Sequence, residues 1–134
     1  MGAEHKQIGE VADRLGLSLR TIRYYEEVGL ITPSARSHGG FRLYTEGDIA
    51  RLEVVKRMKP LDFSLEEMRE LLAALDTLRT SEPDAAGRSA ALERLEAFEA
   101  AADERCRKLR TQLETAEELA RSLRDEARVH HGAH

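Results

Sequence analysis

Apolar positions Ile8, Val11, Ala12 and Leu15 recur at helical spacing and stop at Gly16, a residue suited to the left-handed position just past a helix end. Ser18 then supplies an N-cap, and a second helix can run to Gly29, another glycine stop. Two short helices joined by about three residues with a glycine predict a helix-turn-helix. Beyond them Pro33 bars helix continuation, Gly39-Gly40 signals a turn, and Phe41-Arg42-Leu43-Tyr44 alternates with period two, which predicts a small β-hairpin. Thr45 with Asp48 and Ser64 with Glu67 are spaced as capping boxes. They open a third helix, with Ile49, Leu52, Val54, Val55 and Met58, that ends before Pro60, and a fourth with Leu65, Met68, Leu71, Leu72 and Leu75 on its buried side.

Residues 78–88, "LRTSEPDAAGR", gather Ser, Pro, Asp and Gly and read as a linker. The pattern after it changes to a heptad. Leu92, Leu95, Glu99, Ala102, Cys106, Leu109, Leu113, Ala116, Ala120, Leu123 and Ala127 fall at a and d positions, with only Glu99 out of character. The seam runs along a helix of about 40 residues, roughly 60 Å long. With no break between Arg88 and Arg128 at which the chain could fold back, a homodimer is the expected partner for that stripe. Four-apart pairs such as Glu104 with Lys108, Asp103 with Arg107 and Glu117 with Arg121 support its outer face.

At 134 residues the chain holds one ordinary domain plus an extension. Its formal charge of -4 argues at first against nucleic acid. The average conceals an asymmetry. Between residues 18 and 59 lie Arg20, Arg23, Arg36, Arg42, Arg51, Lys56, Arg57 and Lys59 against five acidic groups, so that window is net positive while the rest of the chain is acidic. One cysteine permits no internal disulfide and no thiolate cluster within one chain, which fits a reducing cytoplasm. No apolar run reaches the length of a membrane span or a signal-peptide core.

The basic window also contains all three tyrosines. With Ser18 as N-cap, Ile22 and Tyr25 share one face of the second helix and Arg20, Arg23, Tyr24 and Glu27 another. Tyr25 is expected in the core, and Tyr24 beside the arginines. Ser18, Arg20 and Thr21 occupy the first turn, the part of a second helix that meets a groove. In the hairpin, Phe41 and Leu43 are expected to face inward and Arg42 with Tyr44 outward, near Arg36 and His38, where they suit backbone phosphate. The plainer readings are solvated cations on a helix surface and an edge hairpin protected by charge.

The run "IGEVADRLGLSLRTIRYYEEVGLITPSARSHGGFRLYTEGDIARLEVVKRMKPLDFSLEEMRELL" resembles the MerR family of bacterial transcriptional regulators, and the long helix after it resembles the family's dimerisation helix. "RTIRYYEEVGLI" joined to "GGFRLYTEGDI" is the specific part of that likeness. The resemblance implies a homodimer on an antiparallel pair of long helices, bound to a pseudo-palindromic operator in a long promoter spacer. It also implies bending and untwisting of that spacer so that RNA polymerase can read both promoter elements. By position it assigns DNA contacts to Arg20, Thr21, Arg23 and Tyr24 of the recognition helix, to Arg42 and Tyr44 of the first wing, and to Lys59 of the second. The second wing departs from the family: Asp62 stands where a glycine is usual, and Pro60 has no fixed counterpart, so the Lys59 contact is the one this puts in question.

The expectation is therefore an all-α winged helix-turn-helix with a small β-hairpin wing. It comprises a DNA-binding domain over residues 4–77, the linker at 78–88, a dimerisation helix over 89–128 forming an antiparallel coiled coil, and a polar tail at 129–134. The seam residues expected to dimerise are Leu92, Leu95, Ala102, Cys106, Leu109, Leu113, Ala116, Ala120 and Leu123. After Arg128 too little chain follows for a folded effector domain, and a soft-metal site would need more thiolates than one. Cys106 reads as a buried seam residue, with a disulfide to its mate as a remoter alternative, and His130, His131 and His134 read as a polar tail with zinc or nickel binding as theirs. No cofactor is expected, and no enzymatic constellation sits on a recognisable scaffold. The expected role is a nucleoid-associated cytoplasmic regulator of transcription. An architectural DNA-binding protein of low specificity and a coiled-coil interaction module are the rivals.

Overall fold

The computed structural model describes residues 5–80 and 84–132. Glu4, where the DNA-binding domain was expected to begin, residues 81–83 of the expected linker, and His134 lie outside the described residues. The chain divides into two units, residues 1–95 and 96–134. The first contains β1 (Lys6–Gln7), α1 (Ile8–Leu15), α2 (Leu19–Glu27), β2 (Ala35–Arg36), β3 (Arg42–Tyr44), α3 (Glu46–Met58), a 3-10 turn (Lys59–Leu61), α4 (Leu65–Arg79) and the start of α5 (Ala85–His131). The second consists of the remainder of α5.

Each start and stop has a local cause. Gly16, at φ 67°, ends α1, and both its amide and that of Leu17 return to the Ala12 carbonyl. Ser18 caps α2 by accepting the Thr21 amide at 3.0 Å. The Thr45/Asp48 and Ser64/Glu67 capping boxes both form, opening α3 and α4. Asp62 is the one non-glycine at positive φ among the described residues (63°), and its amide closes on the Lys59 carbonyl at 2.9 Å. Aspartate thus fills a left-handed position that glycine adopts most readily.

Val11, Ala12 and Leu15 of α1 and Ile22 and Tyr25 of α2 are buried, as are Leu30 and Ile31 in the segment just beyond α2. Ile49, Leu52, Val55 and Met58 of α3 and Met68, Leu72 and Ala74 of α4 also belong to the core, with Phe63 between the two helices in the chain. Val54, Leu65, Leu71 and Leu75 are only half-buried. Three cations close helix ends and turns across this core. Lys56 Nζ donates to the Leu15 carbonyl at the end of α1, Arg69 to the Val28 carbonyl at the end of α2, and Arg51 Nη2 to the Leu30 carbonyl at 3.3 Å while its Nη1 donates to both carboxylate oxygens of Asp76.

The sheet has three antiparallel strands in the order β1-β3-β2, with Lys6 opposite Tyr44 and Arg36 opposite Arg42. The hairpin turn is closed by the Ser37 amide on the Phe41 carbonyl and the Gly40 amide on the Ser37 carbonyl, with Gly40 at φ 82°. Asp48 anchors the sheet to α3. Its Oδ2 accepts from the Ser34 amide at 3.2 Å, the Ser34 hydroxyl at 2.6 Å and the Thr45 amide at 2.9 Å, and the residue is 9% exposed.

The long helix begins at Ala85, four residues before the expected start at 89, and runs 47 residues to His131, into the expected tail. Asp84 explains the earlier start, because its carboxylate accepts the Gly87 amide at 2.5 Å as an N-cap does. Gly87 therefore belongs to the first turn of the helix.

Replacing Asp48 by Ala leaves three donors without their acceptor. Unfolding in urea should show a loss of about 2 to 3 kcal/mol for Asp48→Ala; a loss below about 0.5 kcal/mol, the level of an ordinary surface change, would mean the sheet is held from elsewhere.

Candidate nucleic-acid interface

The basic groups of residues 18–59 fall into two sets. Arg51 and Lys56 are spent on carbonyls and a carboxylate inside the fold. Arg57 meets Glu53 at 2.9 Å, Arg36 Nη1 donates to the Gly40 carbonyl at 3.1 Å, and Arg42 Nε donates to Glu26 at 2.5 Å. The side chains of Arg20, Arg23 and Lys59 are exposed and have no ion pair or hydrogen bond among the described residues. An exposed cation without an internal carboxylate keeps its full charge for an external anion.

On α2 the tyrosines divide as the helical spacing predicts. Tyr25 is 2% exposed and packs against Ile22's side of the helix, whereas Tyr24 is 44% exposed beside Arg20 and Arg23. The two rings still touch, with centroids 5.9 Å apart and tilted by 52°. Burial pushes the Tyr25 phenol's pKa up, and its hydroxyl has no partner among the described residues. Ser18 and Thr21 are joined through their hydroxyls at 2.8 Å, so both are committed to the helix start.

The wing corrects an expectation. Tyr44 does not face outward: it is fully buried, and Phe41, expected inward, is 62% exposed. Phe41 and Tyr44 have thus exchanged faces relative to the expectation, while Arg42 and Leu43 between them are both half-buried. What makes Arg42's face the inner one is a carboxylate on the neighbouring helix. Glu26, 16% exposed in its side chain, receives Arg42 Nε on Oε1 and the Tyr44 hydroxyl, at 3.0 Å, on Oε2. A charged face can turn inward when its charge is met there. Arg42 itself remains about one-third exposed, and His38 and Arg36 are exposed on the hairpin.

Burial, and then the hydrogen bond to Glu26, raise the Tyr44 pKa to about 12. The same carboxylate raises the Arg42 pKa, first through their hydrogen bond. Glu26 was absent from the residues singled out by sequence. Its signal was there: it lies four residues after Ile22 and one after Tyr25, at the margin of the buried face of α2.

On α5, Leu92, Leu109, Leu113 and Leu123 are exposed, as are Ala116 and Ala120, while Leu95, Ala102 and Cys106 are half-buried. Leu119 and Val129, outside the expected seam, are also exposed.

The family model described as MerR HTH family regulatory protein matches residues 7–75, and the one described as MerR, DNA binding matches residues 49–125. The chain belongs to the MerR family. It is 44% identical over 70 residues to the mercuric resistance operon regulatory protein of Bacillus cereus, covering 52% of this chain and 53% of that one. The chain thus spans about half the length of the curated MerR-family relatives it matches. Among solved structures, the transcription regulator PbrR691 from Ralstonia metallidurans CH34, in complex with lead(II), is 30% identical with a TM-score of 0.54, covering 92% of this chain and 86% of that one. HiNmlR, a MerR-family regulator lacking the sensor domain and bound to promoter DNA, shares the fold at 21% identity and a TM-score of 0.68, covering 86% of this chain and 80% of that one. The residues present do not fit a thiolate metal site of the kind soft metals require, since Cys106 is the single cysteine.

The Tyr44 shift has a sign that can be tested. A folded-state pKa above the unfolded value of about 10 means that the stabilisation is complete below that pH and is lost as pH rises through about 12. Between those limits wild-type stability should fall more steeply with pH than that of Tyr44→Phe in urea unfolding. Equal slopes would place the phenol in water.

Proposed function

We propose that the protein is a sequence-specific DNA-binding transcriptional regulator that occupies promoter DNA as a homodimer in the cytoplasm. The observation that carries this reading is the division of cations: the side chains of Arg20, Arg23 and Lys59 stand exposed and unpartnered among the described residues, while Arg51 and Lys56 serve the fold. Residues 4–77 form the DNA-binding domain. Within it Ser18, Arg20, Thr21, Arg23 and Tyr24 belong to the recognition helix, and Arg36, His38 and Arg42 to the first wing. Lys59 extends the same role to the 3-10 turn. Tyr44 supports that surface from beneath it.

Residues 89–128 carry the dimer through the exposed row Leu92, Leu109, Leu113 and Leu123. A single helix cannot bury such a row on itself, and pairing with a second copy in antiparallel sense places two recognition helices on one duplex. The MerR membership supports promoter distortion as the mechanism, with the long spacer bent and untwisted so that RNA polymerase is served indirectly through the DNA. This is the work of a regulator and requires no catalytic chemistry.

Selection of genomic fragments by the purified protein, followed by footprinting, tests the reading. Two protected half-sites related by a dyad are expected, and Leu113→Glu should reduce their joint occupancy by tenfold or more, on the order of the cost of placing a charge at a coiled-coil seam. Equal recovery of random duplex would favour the architectural role, and no recovery at low salt would leave a coiled-coil module.

A further inference from the structure

We infer that Glu26 is a positioning residue for DNA recognition, holding the Arg42 guanidinium in one orientation so that the first wing reads one phosphate position relative to α2. The inference rests on the regulator reading and deepens it.

Glu26 is an expensive choice where it stands. It occupies the last turn of α2, where a carboxylate opposes the helix dipole, and that turn holds no basic residue. It lies on the helix that also displays Arg20 and Arg23, where a negative charge works against a polyanion. Neither helix stability nor bulk attraction to DNA accounts for it. Its contacts do. Both oxygens are engaged with β3, Oε1 by Arg42 Nε at 2.5 Å and Oε2 by the buried Tyr44 hydroxyl at 3.0 Å. The tyrosine fixes the carboxylate, and the carboxylate fixes the arginine.

The atoms used matter. Arg42 spends its Nε on Glu26, while Nη1 and Nη2 donate to nothing among the described residues and the side chain stays about one-third exposed. A guanidinium gripped at Nε keeps its outer pair of nitrogens in a set plane, the geometry suited to bidentate contact with phosphate. An ungripped arginine would reach many phosphates equally. Ordering it only on binding would cost part of the specific affinity, and its released charge would strengthen binding to any duplex. Glu26 therefore trades general attraction for register between helix and wing.

The test compares the wild-type chain with Glu26→Gln, Arg42→Ala and the double variant. Binding is measured by fluorescence anisotropy to a duplex that wild type selects from a random pool and to a scrambled duplex of the same composition, with thermal melts alongside. Glutamine keeps an acceptor for the Tyr44 hydroxyl and removes the charge. For Glu26→Gln the ratio of selected to scrambled affinity should fall by about three- to tenfold, as expected for losing the pre-ordering of one arginine, with scrambled affinity unchanged or raised. In the Arg42→Ala background the same change should leave the ratio within about twofold, since the pair acts as a unit. An unchanged or raised ratio for Glu26→Gln overturns the inference, and so does an equal loss on both duplexes with a lowered melting temperature, which marks a purely structural brace. Failure of wild type to enrich any duplex overturns the regulator reading itself.

Discussion

A helix of nine residues has no independent stability in water, because nucleation costs more than so few hydrogen bonds return. Whatever α2 presents on its outer face therefore depends on how its inner face and ends are held. Ile22 and Tyr25 bury that inner face, Ser18 closes the start, and Arg69 takes the last carbonyl from α4. Glu26 ties the side of the last turn to β3. Four attachments from three directions leave a short helix with little freedom to roll or slide. Arg20, Arg23 and Tyr24 inherit that rigidity.

The same economy explains how an acidic chain can carry the DNA-binding surface proposed for it. Net charge is a poor guide when cations differ in employment. Arg51, Lys56 and Arg69 satisfy carbonyls that would otherwise end without partners, so they add to the count of basic residues but act mainly on the fold. The cations left exposed and unpartnered among the described residues of that window are few, and two of them lie one helical turn apart on α2. A small, fixed set of charges favours position over strength, which is the balance a sequence-reading protein needs against excess competing duplex.

Much of the architecture was legible in the sequence because its signals are local. Gly16, Ser18, Thr45 with Asp48, and Ser64 with Glu67 each fix a helix end by chemistry within four residues, and all act as their types suggest. The split between Tyr24 and Tyr25 followed from helical periodicity alone. What escaped was settled by residues distant in sequence. The two-residue strand β1 is too short to show a period and exists through its pairing with β3. Period two separates the faces of β3 without saying which is inside, and the answer lies in Glu26, 16 and 18 positions away from Arg42 and Tyr44. The start of α5 was obscured by Gly87, whose low helix propensity is offset by the Asp84 cap.

The claim that the cations are divided between fold and duplex is tested most directly by comparing Arg20→Gln with Arg51→Gln in two assays, the salt dependence of binding to a wild-type-selected duplex and thermal unfolding. Arg20→Gln should reduce the slope of log K against log salt by about 0.9, the value for one phosphate contact, and leave the melting temperature in place. Arg51→Gln should lower the melting temperature and leave the slope unchanged. A salt slope that Arg51→Gln reduces as much as Arg20→Gln does, or an Arg20→Gln variant with the wild-type slope, would contradict the account.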